Sequence, residues 1–203
     1  MTAAEFIHRP VMFEEVMGVF APLKTGVIVD GTLGAGGHTQ GLLERGPQLR
    51  VLGLDRDPSA VEAASGRLSE YSERFMVLHK EFDELDDALV QACQSDNRFC
   101  SSPVGLLLDL GVSSPQLERG ERGFSYRLEG PLDMRMDPTQ GQTLAEVLDQ
   151  VDVDELTRLL RMNGEPRFAY RIAKAILVGK PYSSTTQLAE VVKAAIPAAH
   201  AKG

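Results

Sequence analysis

Cysteine, histidine and long apolar runs are all scarce in this chain, and each shortage closes off a class of protein. The only cysteines are Cys93 and Cys100. Two are too few for a disulfide framework, and their spacing matches no common zinc motif. The four histidines are scattered, so no metal site is expected. No apolar stretch approaches the roughly 20 residues that span a bilayer. The N-terminal MTAAEFIHRP lacks the basic and apolar regions of a signal peptide. A reducing cytoplasm is therefore the expected setting, without membrane attachment. Excess positive charge is missing too: the formal net charge is −8, which argues against wholesale coating of nucleic acid.

What remains is ordinary globular material, 203 residues with 43% hydrophobic and 25% charged side chains. Its charge is unevenly spread. Residues 1–110 hold 9 Lys and Arg against 17 Asp and Glu, whereas residues 111–203 hold 12 of each. Between positions 156 and 180, Arg158, Arg161, Arg167, Arg171, Lys174 and Lys180 face only Glu165. Such a stripe is either a solvated helix face or a local basic surface on an acidic protein.

The first 110 residues alternate regularly. Residues 11–21 read as a helix stopped by Pro22, VIVD at 27–30 as a buried strand, and 36–45 as a helix. LRVLGLD at 49–55 is a second strand. DPSAVEAASGRL at 57–68 is a helix, with Pro58 in its first turn and Ser59 and Glu62 resembling a capping box. FMVLH at 75–79 is a third strand, 82–93 a helix, and VGLLLDLGV from Val104 a fourth strand. Strands without polar alternation are buried on both faces, as in parallel sheets. The expected class is α/β with a doubly wound sheet. After Asp109 the pattern breaks. Residues 111–142 are rich in Gly, Ser, Pro and Arg, yet their Phe124, Tyr126, Leu132, Met134 and Met136 speak for an ordered loop. Helical patterns follow at 143–150, 152–163, 165–179 and from Thr185 to Pro197, with Asp152 and Glu155 as a cap and Gly164 as a stop.

VIVDGTLGAGGHTQGLL, 27–43, places four glycines within seven residues between a strand and a helix start. Glycines let the backbone approach a ligand, and a helix N-terminus offers free N–H groups. Two phosphate signatures are absent. There is no GxxxxGK[ST] lysine, and counting GxGxxG from Gly34 and Gly36 puts Thr39 in the third position. Asp30, just before Gly31, would repel a pyrophosphate and suits a ligand with a cationic amino acid part, such as S-adenosylmethionine (SAM). Asp55, at the end of the second strand, is placed to accept from ribose hydroxyls. Asp57, just beyond it, reads as a helix cap. His38 either packs near the helix start or joins the site. Phe82 either lies beside an adenine or belongs to its helix's core stripe. Asp109 ends a strand of leucines, and a buried carboxylate there needs a partner. Asp30, Asp55 and Asp109 all stand at carboxyl ends of strands, where open parallel sheets bind ligands.

DLGVSSPQLERGERGFSYRLEGPLDMRMDP at 109–138, with HRPVM at 8–12, DGTLGAGGHT at 30–39, GLDRDP at 53–58 and NGEPRFAYRIAKAI at 163–176, resembles the RsmH (MraW) family. These are SAM-dependent methyltransferases acting on the N4 amine of a cytidine in the decoding region of small-subunit ribosomal RNA. The resemblance implies a Rossmann-like class I methyltransferase sheet over 1–110 and, over 111–203, a loop and helical substrate-recognition insertion. It implies SAM contacts at Gly36, Gly37, His38, Asp55, Phe82, Asp109 and Gln116, to which the residues themselves add Asp30 and Gly34. It implies small-subunit rRNA or the small ribosomal subunit as partner, and the expected assembly extends to a homodimer. Family chains are longer and return from the insertion to finish the sheet. A sheet ending at the fourth strand is expected to show an apolar edge.

Ser113 and Ser114, after the fourth strand, stand where amino-methyltransferases carry a D/N/S-P-P-Y/F motif, here SSPQ. They either orient the cytosine amine, alone or with Asp109, or form an ordinary turn. Arg119, Arg122, Arg127 and Arg135 either meet phosphates or pair with Glu118, Glu121 and Asp133. Phe124 and Tyr126 either stack on a base or anchor the loop. The rival classes are a nucleotide-dependent oxidoreductase and a non-catalytic RNA- or ribosome-binding module.

Overall fold

The apolar run of TGVIVD puts Val27, Ile28 and Val29 wholly out of solvent, with Val27 and Val29 facing one core and Ile28 the other. Side chains alternate across a strand, so a strand buried on both faces needs layers above and below. Each such side chain contributes about 1.5–3 kcal/mol by burial. A computed structural model of the chain, which describes residues 10–165 and 167–197, supplies both layers. His8 and Arg9 of the HRPVM run, Pro166 and the last six residues lie outside the described part. The chain divides into two compact units, 1–111 and 112–203.

In the first unit the order is α1 (Phe13–Phe20), β1 (Thr25–Asp30), α2 (Gly37–Arg45), β2 (Gln48–Asp55), α3 (Pro58–Arg67), β3 (Phe75–His79), α4 (Leu85–Ser95) and β4 (Gly105–Leu107). The four strands are parallel in the order β3-β2-β1-β4. Met17 and Phe20 of α1, Leu42 and Leu43 of α2 and Ala64 of α3 pack with Ile28, Val51 and Leu107. Ala88 and Ala92 of α4 pack with Val27, Val29, Leu52 and Leu54. Helices thus cover both faces, the doubly wound arrangement that the alternating pattern predicts.

Three details refine what the sequence suggests. Asp57 caps α3, as the sequence suggests, its Oδ1 accepting from Ser59 N at 3.0 Å and Ser59 Oγ at 2.7 Å, but the Ser59–Glu62 box is not the cap. β4 is only three residues long, and Val104, Leu106, Leu108 and Leu110 are exposed rather than buried. The reason is position. β4 is an edge strand, and its register pairs Leu106 with Val29, on the α4 face of the sheet. An apolar sequence signals what a strand could bury, not whether a neighbour arrives. Among the described residues no further strand pairs with β4, and these four apolar side chains stay exposed. Finally, Cys93 and Cys100 are joined in a disulfide, with Cα atoms 4.4 Å apart. The two cysteines, too few for a disulfide framework, thus form a single bridge, because the end of α4 and the turn at Asn97–Phe99 fold Cys100 back onto the helix.

The second unit contains α5 (Ser114–Glu118), α6 (Leu144–Gln150), α7 (Val153–Met162), α8 (Ala169–Gly179) and α9 (Thr185–Ala195). Leu132, Leu148, Leu156, Ile172, Ala173, Ile176 and Ala195 form its core. Caps set the boundaries. Thr143 and Glu146 form a capping box on α6. Asp152 Oδ1 accepts from Asp154 N and Glu155 N, and Ser184 Oγ accepts from Gln187 N. Glu165 Oε1 accepts from Arg167 N and Phe168 N, which holds a turn where the sequence suggests helix and delays α8 to Ala169. The 111–142 segment is ordered, as its apolar residues suggested. Arg122 donates to the carbonyls of Arg135 and Met136, and Leu132 is buried in the core.

Candidate functional site

The glycine loop runs over the carboxyl ends of the strands. Gly31 N donates to Leu107 O at 2.9 Å and Leu33 N to Leu54 O at 3.0 Å, so the loop is tied across the ends of β4 and β2. Asp30 lies beneath it, 1% exposed. Its Oδ2 accepts from Thr39 Oγ1 at 2.7 Å and its Oδ1 from Thr32 N at 3.3 Å. Burial pushes the Asp30 carboxyl up to about 6, against the pull of the Thr39 and Thr32 hydrogen bonds and of His38. Asp55 is also raised, chiefly by burial, and its charge repels Asp57. Asp55 Oδ2 accepts from Gly34 N at 2.7 Å and Oδ1 from Asp57 N at 2.9 Å. Each oxygen keeps a second lone pair for another donor.

Two glycines explain the loop's shape. Gly36, at φ +77°, begins α2, and a Cβ there would lie 2.8 Å from Leu68 Cδ1. Gly34, at φ +52°, has nothing within 4 Å of its Cβ position. It faces open space, and a left-handed residue facing open space leaves room for a ligand against the backbone. α2 has no side chain capping its N-terminus, so its first N–H groups are available donors.

His38 is buried, and its Nε2 lies 3.1 Å from Val11 O. That contact turns Nδ1 toward Asp109 Oδ2, 4.0 Å away and beyond direct hydrogen-bond reach. Pro10 packs against Gly37, so Pro10 and Val11 of the HRPVM run brace the start of α2. Asp109 is not the buried carboxylate that its leucine-rich strand implied. Its side chain is 53% exposed, because β4 ends at Leu107 and the chain is already leaving the sheet. Its backbone N–H donates to Thr32 Oγ1 at 2.6 Å. Phe82 does not belong to a core stripe either. It opens a short turn after β3, is 46% exposed, and its Cβ lies 3.1 Å from the Cβ position of Gly31. An exposed aromatic ring thus borders the loop.

The basic side chains that follow β2 and β3 are taken. Arg56 pairs with Glu81 at 2.7 Å and Lys80 with Glu84 at 2.8 Å. These pairs are neutral, and with Asp55 and Asp109 at the strand ends the remaining charge there is negative, which suits a cationic ligand group and opposes a pyrophosphate. Thr32 and Thr39 carry no signal in the sequence. Their partners are 77 and 9 positions away, and only the folded sheet brings them together.

In the second unit, Gln116 is buried and serves as a cap, its Oε1 accepting from Ser113 N at 2.9 Å. Ser113 is the N-cap of α5 and Ser114 its first residue, both half-buried.

A sequence profile of the MraW methylase family matches residues 5–203. The chain belongs to the MraW methylase family. Among curated members of similar sequence, ribosomal RNA small subunit methyltransferase H of Thermobifida fusca is 46% identical over 95% of this chain, and that of Corynebacterium diphtheriae is 43% identical over 95%. The chain spans 58% and 60% of the lengths of those two MraW relatives. A solved rRNA methylase from Streptococcus thermophilus aligns with 40% of this chain and 44% of its own, at 25% identity and a TM-score of 0.33, too slight an overlap to bear on the site. The family match runs through both units, including the glycine loop and the α5 segment.

Proposed function

We propose that this chain binds SAM in the loop at the strand ends and takes part in methylating the N4 amine of a cytidine in the decoding region of small-subunit rRNA. The observation that carries the cofactor reading is the loop itself: an uncapped α2 N-terminus and the open space at Gly34, within a rim of carboxylates and no unpaired cation from Arg56 or Lys80. Family membership and relatives described as small-subunit rRNA methyltransferases carry the substrate reading.

The residues fit SAM in kind. Gly34, Gly36, Gly37 and the first N–H groups of α2 offer a close backbone surface. Asp55 accepts from ribose hydroxyls with its spare lone pairs. Phe82 offers a ring face to adenine. Asp30 supplies negative charge under the loop, and His38 holds the helix start. Bound there, SAM would supply a sulfonium-activated methyl group for cytosine N4, with S-adenosylhomocysteine and the N4 proton as the groups released. The N4 lone pair is delocalised into the ring, so the protein's task is orientation. Asp109, just beyond β4, is one candidate to accept from the amine; Ser113 and Ser114 of the SSPQ segment are the other candidates to orient it. Gln116 fixes the Ser113 backbone through its cap and so acts as a positioning residue. Holding the reacting atoms about 3–3.5 Å apart is the main source of rate, and the base must leave its stack to get there.

Incubation of the chain with methyl-labelled SAM and small ribosomal subunits, followed by mass spectrometry of the rRNA nucleosides, tests this. N4-methylcytidine is the expected product. Label on a ring carbon of cytosine or on another base would refute the reading.

A further inference from the structure

We infer that Thr32 is a positioning residue of the loop site, fixing the place of Asp109 through that residue's backbone. The inference rests on the proposed SAM site, in which the Asp109 carboxylate meets the cationic end of SAM. β1 and β4 run parallel, and Asp30 and Leu107 are their last pair. Gly31 N still donates to Leu107 O at 2.9 Å. A continued parallel ladder would then bring Asp109 N to the carbonyl of Gly31. It goes instead to a side chain, donating to Thr32 Oγ1 at 2.6 Å. A hydroxyl thus stands in for a ladder carbonyl at the point where β4 leaves the sheet.

Thr32 is held from the other side as well. Its N–H donates to Asp30 Oδ1 at 3.3 Å, and Asp30, buried beneath the loop, accepts from Thr39 Oγ1 at 2.7 Å. One residue therefore joins a buried carboxylate to the exit of β4. Any residue at position 32 would keep the first bond, which the backbone makes. Only a side chain with an oxygen on Cβ makes the second, and among the standard residues that means threonine or serine.

The Asp109 carboxylate has no comparable tie of its own. Among the described residues no hydrogen bond reaches it; His38 Nδ1, in the first turn of α2, lies 4.0 Å from its Oδ2. Its place near the start of α2 is therefore set through the backbone, and the backbone at Asp109 is tied to Thr32. Loss of that bond costs the fold little, because an N–H at an exposed position turns to water. What it costs is the placement of the carboxylate, and a charged contact weakens when its group is misplaced.

A double-mutant cycle on SAM affinity tests this, read by isothermal titration calorimetry of the full chain. Thr32→Val keeps the side chain's shape and removes the acceptor, and should weaken SAM binding about fivefold or more. Thr32→Ala, which adds no apolar bulk, should do the same. Thr32→Ser keeps the hydroxyl and should bind within about twofold of the unaltered chain. Asp109→Ala retains the backbone N–H but not the carboxylate, so adding Thr32→Val to it should weaken binding less than about twofold further. A purely structural tie would cost the same in both backgrounds, so equal costs overturn the inference. So does weakening by Thr32→Ser equal to that by Thr32→Val, or a SAM affinity that Thr32→Val leaves unmoved. The unaltered chain separates the two readings. If it binds SAM and the costs are equal, the role of Thr32 falls alone. If it binds no SAM, the cofactor reading falls and the role of Thr32 falls with it.

Discussion

Asp30 and Gly34 show how single positions in the loop divide between holding it and serving a ligand. Asp30 is buried with its carboxyl pushed up to about 6 from 3.8. A folded-state value above the unfolded one means that folding favours the protonated acid. That contribution is complete below pH 4 and is lost as pH rises through 6. Asp30→Asn should therefore gain stability relative to the unaltered chain between pH 4 and pH 8, by on the order of 3 kcal/mol if the whole shift is expressed. Urea unfolding at both pH values reads this, and a difference independent of pH would show that Asp30 ionises freely in the fold. The two left-handed glycines predict a contrast. Gly36→Ala meets Leu68 as well as an unfavourable φ, and should cost about 1–3 kcal/mol in urea unfolding. Gly34→Ala meets nothing in the protein, and should cost about 1–2 kcal/mol through its backbone alone. Its added methyl enters the ligand space, so SAM affinity should fall tenfold or more, a loss of at least about 1.4 kcal/mol.

Helix and strand behaviour was legible where the cause is local. The run VIVD, the glycines after it, Pro58 and the Asp152 cap each act on their own neighbours, and the elements sit where those signals put them. Asp57 follows the same rule: Asp57→Ala should lower stability by about 1 kcal/mol through loss of the α3 cap, readable in thermal unfolding. What was not legible depends on strand order or distant contact. The leucines of β4 read as buried because nothing in VGLLLDLGV says that β4 is an edge. Phe82 matched a helical stripe, yet it starts a turn before α4 and stays exposed. Thr32 meets Asp109 only once β1 and β4 are paired, and Thr39 meets Asp30 only once α2 folds back over the end of β1. Cys93 and Cys100 meet because the chain folds back after α4. The exposed edge has a consequence of its own. Leu106→Lys should reduce concentration-dependent association, measured by light scattering, with little loss of stability, because charges on an edge oppose sheet-to-sheet pairing.

The whole chain combines an acidic unit that carries the loop with a second unit of balanced charge, and membership of the MraW methylase family spans both. On the proposed reading, the carboxylates around an uncapped helix start would favour SAM, with its sulfonium and ammonium, over a dinucleotide's pyrophosphate. Family resemblance alone does not supply that physical reason; the positions of Asp30, Asp55 and the paired Arg56 and Lys80 do. Asp55 pins Gly34, and the proposed reading gives its remaining lone pairs to a ribose. Isothermal titration calorimetry of the 203-residue chain with SAM, beside NADH and an Asp55→Ala variant, tests this most directly. Saturable heat with SAM, none with NADH, and at least tenfold weaker SAM binding by Asp55→Ala are the predicted results. Binding of NADH in preference to SAM, or equal SAM binding by the variant, would contradict it.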